Sequence, residues 1–225
     1  MKALVTGAAG GIGGAIVRRL EQEGYEVLAT DVGELDVSDP AAWENLPQLD
    51  VACLNAGVVT GSSSVAELTD EQYRRILGVN VDGVVYGVRA LRSRLEPGGR
   101  IVVIASLAGL THVPGDPIYA GTKHFVIGFV RSVAPQLAER GIAIDAVCPG
   151  IVDTPMIAGS RAALEAAAFP LLTPDDVADA VMAALGDDET GQAWVVQPGR
   201  EPLKFRFPGV PGPRIPGAEG VRPPL

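Results

Sequence analysis

Short apolar runs alternating with stretches of helical periodicity predict an α/β fold for this chain. The expected architecture is a doubly wound, mostly parallel sheet of about seven strands with helices on both faces. Two further observations agree. The strand-like runs read as continuous apolar segments, the mark of strands buried on both faces. Several of them end in glycine or small polar residues, at the sheet edge where ligands bind in such folds. At 225 residues the chain suits one domain, and with 47% apolar residues it can fill a large core. That domain is expected over residues 1–199, followed by a Pro/Gly-rich tail at 200–225.

The first strand, 3–6, runs into Thr6-Gly7-Ala8-Ala9-Gly10-Gly11-Ile12-Gly13-Gly14. Ile12, Ile16 and Leu20 then recur at helical spacing, and Gly24 stands where the helix should end. Strand, glycine turn and helix make a Rossmann-like layout. It brings a pyrophosphate to a helix N-terminus, where free N–H groups and the dipole favour negative charge. The spacing is G-x-x-x-G-x-G, and the G-x-G-x-x-G fingerprint fails at Ile16. The second strand, 26–30, ends at Asp31. An acid about 20 positions past the glycine turn can bind both hydroxyls of an adenosine ribose and would repel a 2′-phosphate. No Lys or Arg stands in the turn or just after Asp31, which favours NAD over NADP.

Residues 31–39 leave little room for a crossover helix. Within them 34–37 reads as a strand-like piece, with Asp36 and Val37 placed to flank an adenine. Ser38 is the expected cap of a short helix with Pro40 in its first turn. The strand 50–55 stops at Asn55-Ala56-Gly57, a second small polar strand end. A small-residue loop, 58–64, precedes a long helical region from about 69–70 to 95. Gly78, Gly83 and Gly87 interrupt it, which points to close backbone packing. Asn80 among them is either exposed or releases a carbonyl at a local kink. Pro97-Gly98-Gly99 closes the region.

The next strand begins at Ile101, passes Ser106 and leads through a loop to a helix carrying Tyr119 and Lys123. Residues at i and i+4 share a helix face. A cation beside a phenol lowers its pKa from ~10, and proton exchange with an alcohol or carbonyl oxygen needs such a shift. Taken singly, these residues are ordinary: Tyr-x-x-x-Lys is a common spacing, and a Ser after a strand is usually a turn residue. Pro135 is expected to kink or restart the helix, and Gly141 to close it. Strand 143–148 leads into Pro149-Gly150-Ile151-Val152-Asp153-Thr154. The Ala-rich stretch 154–172 reads as a small helical lid. Thr173-Pro174-Asp175-Asp176 is a helix start, and 193–197 is the last strand. In the tail, Leu203, Phe205 and Phe207 are spaced for one face of an extended segment, suited to a neighbouring subunit or to closing the substrate pocket.

In this order, TGAAGGIG at 6–13, NAG at 55–57, Asn80, Ser106, YAGTK at 119–123 and PG at 149–150 resemble the short-chain dehydrogenase/reductase family over about residues 1–199. Ser106 lies thirteen residues before Tyr119, a usual family separation. The resemblance implies a nicotinamide-dependent oxidoreductase. Gly7, Gly11 and Gly13 would cradle the pyrophosphate, with Ile12 supplying a backbone contact, and Asp31 would hold the adenosine ribose. Asn55 would stabilise the sheet with Ala56 and Gly57 beside the cofactor. Tyr119 would be the acid/base, Lys123 would bind the nicotinamide ribose, Ser106 would orient the substrate oxygen and Asn80 would hold a water in a proton relay. Pro149, Gly150, Ile151 and Thr154 would embrace the nicotinamide. His112 and Asp116 fall in a loop that usually lines the family's substrate pocket. The segment after Asp31 is shorter than in most members, and the tail departs from the family's short ending.

The expected cofactor is therefore NAD, and the expected substrate a small-to-medium apolar secondary alcohol or ketone. The alternative is a non-catalytic NAD-binding regulator of the same fold. Likeness to the family implies a homodimer or homotetramer through helices at 70–95 and 118–139. A formal net charge of -9 argues against nucleic acid or an anionic membrane as partner. No apolar run reaches ~20 residues, the start lacks a signal-peptide pattern, and a cytoplasmic location is expected. Cys53 and Cys148 are read as buried free thiols, and two His are too few for a zinc cluster.

Overall fold

The computed structural model describes residues 1–212, 215 and 217. Seven strands form one sheet in the order β2-β1-β3-β4-β5-β6-β7. They are β1 (Lys2–Thr6), β2 (Glu26–Thr30), β3 (Leu49–Leu54), β4 (Leu95–Ile104), β5 (Ala143–Pro149), β6 (Ala193–Val196) and β7 (Leu203–Lys204). All neighbours run parallel except β6 and β7. Buried helix stripes cover both faces. Ala15, Ile16 and Leu20 of α1 (Gly11–Gln22) pack with Val177 and Val181 of α6 (Pro174–Leu185) on one side. Val84, Val88 and Leu91 of α3 (Gly83–Leu91) join Val126 and Val130 of α4 (Pro117–Ala138) on the other. Between β1 and β3 the chain reverses its winding, and the loops leaving these two strands diverge into a crevice.

Seven strands were expected, but not the same seven. The piece 34–37 is a turn, because Leu35 and Val37 point into the core from it and Trp43 Nε1 donates to the Val37 carbonyl at 3.1 Å. Nothing therefore flanks the outer side of β2 among the described residues. The seventh strand is β7, in the segment read as a tail. Phe205 and Phe207 pack against the core beside it, and the Arg131 guanidinium sits 3.7 Å above the Phe207 ring. They do not line the cleft. The short helical turn Pro40–Trp43 is capped by Asp39, whose carboxylate accepts from Ala41 N, and not by Ser38.

The region from 70 is one run of α2 (Asp70–Leu77), a wide π turn (Gly78–Asp82) and α3. A capping box of Thr69 and Gln72 starts it. The glycines serve close approach, as expected: a Cβ on Gly83 would lie 2.8 Å from Val37 Cγ2, and one on Gly87 2.8 Å from Trp43. The run stops at Leu91, since Leu95 already belongs to β4, which therefore starts before Ile101. Helix α4 continues through Pro135. The missing N–H costs one bond, while buried Val130, Ala134 and Leu137 hold both sides of it to the core. No helix is long and apolar enough to cross a membrane among the described residues.

Candidate active site

The crevice at the ends of β1, β3, β4 and β5 is a cleft of about 700 Å³. Its floor is the glycine turn. Gly7 takes φ +65°, and a Cβ on Gly13 would stand 2.1 Å from the Gly7 carbonyl oxygen, so the first turn of α1 closes tightly on the strand end. Asn55 fixes this bend, its Nδ2 donating to the Thr6 and Gly7 carbonyls at 2.9 Å each. Helix α1 has Gly10 as N-cap and no side-chain cap. Its first N–H groups are left to an anion, and no Cβ obstructs the approach. Glycine cradle, uncapped helix and acidic strand end together fit a dinucleotide.

Asp31 lies at the next strand end. Its carboxylate accepts from Ala9 N at 3.0 Å and Val32 N at 2.8 Å, which holds it at the rim of the cleft with lone pairs to spare. Asp36 and Val37 line the same end. Asp36 Oδ1 accepts from both Ser38 N and Ser38 Oγ, which shapes the turn.

At the opposite end stand Ser106, Tyr119 and Lys123. Ser106 follows β4 and caps a short helical turn through Ala108 N. Asp116 caps α4, accepting from Tyr119 N with one carboxylate oxygen and from Thr60 N with the other, so Tyr119 enters on the first turn. One turn on, the buried Lys123 ammonium donates to the Ile104 carbonyl at 2.9 Å and lies 5.6 Å from the Tyr119 ring centre. Burial pushes Lys123 down to about 8. Burial also raises the Tyr119 phenol, a hydrogen bond with the Ser106 side chain lowers it and the Asp116 charge raises it, with a net upward shift. The expected lowering by Lys123 does not govern: desolvation of the phenol is the largest influence on it.

Asn80 does not line the cleft. It is 1% exposed inside the π turn, where its Oδ1 accepts from Val58 N and its Nδ2 donates to the Val58 carbonyl, both at 2.9 Å, and to Thr122 Oγ1. A Cβ on Gly57 would lie 3.5 Å from Lys123 Nζ and 3.6 Å from Asn80 Oδ1, so Gly57 joins the two. Ala56, Pro149, Gly150, Thr154, Gly11 and Ile12 line the cleft. Ile151 does not: its carbonyl accepts from Leu172 N and ties down the base of the lid. A short turn at Pro155–Ile157 and α5 (Arg161–Ala166) form that lid, and Arg161 pairs with Asp153. His112 is exposed and outside the lining.

Sequence reasoning missed Val32, Leu35, Val58, Arg75 and Val79, which also line the cleft, as does Met156 of the expected lid. Leu35 was legible as the apolar half of a turn. Arg75 and Val79 carry no local signal, since only the packing of α2 against residues 37–38 brings them there.

Residues 40–165 match the sequence profile of the short chain dehydrogenase family. An uncharacterized NAD-dependent oxidoreductase of Mycobacterium tuberculosis is 34% identical over 200 residues, covering 77% of this chain and 71% of that protein. The 3beta-hydroxysteroid dehydrogenase 2 of Eggerthella lenta is 31% identical, covering 84% and 88%. A short chain dehydrogenase from Burkholderia cenocepacia, solved in complex with NADP, superposes with a TM-score of 0.79 at 28% identity, covering 88% of this chain and 96% of that one. The chain belongs to the short-chain dehydrogenase/reductase family. It is an oxidoreductase of the nicotinamide-dependent kind.

Proposed function

We propose that the protein transfers hydride between NAD(H) and a small-to-medium apolar secondary alcohol or ketone. The observation that carries this reading is the convergence of Ser106, Tyr119 and buried Lys123 at one end of a cleft whose other end holds the glycine cradle and Asp31. Bound NAD(H) would supply the hydride acceptor or donor. The Tyr119 phenol moves the matching proton: it donates to the carbonyl oxygen in reduction and accepts from the alcohol in oxidation. A phenol is protonated at neutral pH, the form ketone reduction needs. Ser106 orients the substrate oxygen, and Lys123 anchors the nicotinamide ribose. Asp31 binds the ribose hydroxyls and favours NAD over NADP, in keeping with the mycobacterial relative's name. Pro155 and Met156 make the substrate mouth apolar, and a hydroxysteroid, the substrate class in the Eggerthella relative's name, suits such a mouth. A homodimer or homotetramer is supported by exposed Tyr73 on α2 and by Phe125, which is exposed and stacked on Phe129, on α4.

The test is a panel of ketones and secondary alcohols with NAD(H) and NADP(H), read by absorbance of the reduced nicotinamide. Turnover should appear with NAD(H) in preference to NADP(H). Tyr119→Phe should lower kcat at least about 100-fold and leave NADH binding, read by fluorescence, within about twofold. Loss of NADH binding with activity would refute the assigned role.

A further inference from the structure

We propose that Arg75 closes the adenine end of the cleft by laying its guanidinium on the face of the purine. This rests on the dinucleotide reading above and adds a residue to it. Arg75 lies on α2, one turn before Gly78 and Val79. A Cβ on Gly78 would lie 3.2 Å from Ser38 Cβ, so this helix face abuts the turn after Asp36. Arg75, one turn earlier on the same helical run, lines the cleft together with Leu35, Val37 and Val79.

Its neighbour Arg74 pairs with Asp70, but Arg75 has no carboxylate partner among the described residues. The acids of the 31–39 segment accept from other donors. Asp31 is held by Ala9 and Val32, Asp36 by Ser38, and Asp39 by Ala41. Glu34 accepts from Asp31 N. A cation without an ion-pair partner among the described residues thus lines the cleft together with three apolar side chains, at the end where β2 is the edge strand. A planar aromatic group entering there would meet apolar contacts from the turn and from Val79, with the guanidinium across its face. Guanidinium stacking on a π-face suits that arrangement.

The experiment is calorimetric titration of the full chain with ADP-ribose, 2′-phospho-ADP-ribose and reduced nicotinamide mononucleotide. Arg75→Ala should weaken ADP-ribose about 3- to 30-fold, leave the mononucleotide unchanged, and be only partly rescued in Arg75→Lys. Arg75 is exposed on a helix, so the alanine variant keeps the fold. Unchanged ADP-ribose affinity would overturn the proposal. So would full rescue by lysine, or a loss confined to the 2′-phosphorylated ligand, either of which makes Arg75 a point charge. If the wild-type chain bound no ADP-ribose at all, the dinucleotide reading itself would fall.

Discussion

Lys123 shows what a buried charge costs in stability at a single residue. Its ammonium is 4% exposed and has one protein acceptor, the Ile104 carbonyl. The folded chain holds the proton only up to about pH 8, against an ordinary value of 10.5. Below pH 8 the buried charge is carried at full penalty. Between about 8 and 10.5, unfolding takes up a proton, so stability climbs with pH as the penalty fades. Lys123→Met should therefore stabilise the chain at pH 7 by about 2 kcal/mol, after loss of the Ile104 bond is counted, while turnover disappears. Urea unfolding from pH 7 to 10.5 checks this, and the gap between the two proteins should close toward the upper end.

At the scale of elements, the π turn inside the 70–91 helical run is what brings Asn80 to Val58. An unbroken α-helix keeps its bonding groups to itself; the wide turn re-aims one side chain into the back wall of the cleft. Asn80→Ala leaves Val58 N–H and C=O without their partners in a half-buried place. The expected cost is about 2–4 kcal/mol, with weaker NADH binding because Val58 lines the cleft. Urea midpoints and NADH fluorescence measure both. The sequence signalled this element in part. Three glycines and a mid-helix Asn announced close packing and a local irregularity, but not which loop Asn80 would hold. Ser106, Tyr119, Lys123 and the glycine turn were legible as an ordered set of motifs that resembles the family; spacing alone placed only Tyr119 and Lys123 on one helix face. The cleft's Arg75 and Val79 were not, since they arrive by tertiary packing. The turn at 34–37 was misread because Leu35 and Val37, an apolar pair two apart, serve a buried turn as well as a strand.

For the molecule as a whole, the last described segment belongs to the fold. Lys204 bridges Asp187 at 2.6 Å and Glu189 at 3.0 Å, and its ammonium lies 5.3 Å from the Trp194 ring centre. Phe205 and Phe207 add apolar burial against α4 and the sheet. Ending the chain after Gly199 should cost about 3 kcal/mol, a fall in Tm of roughly 6–12 °C for a protein of this size. A calorimetric scan and a shift in tryptophan fluorescence would report it. Composition hid this element, because Pro and Gly on both sides made the segment look unstructured while the alternating Leu203, Phe205 and Phe207 carried the signal.

The two rims of the sheet are consequently unequal. One is stoppered by a two-residue strand followed closely by Pro208 and Pro211, neither of which can donate to another strand. The other, Glu26–Thr30, offers a row of backbone donors and acceptors to solvent, with Leu28 39% exposed beside them. An open template of that kind invites strand-to-strand adhesion. In concentrated solution, unwanted self-association of this enzyme should begin there, and a charge in place of Leu28 should suppress it.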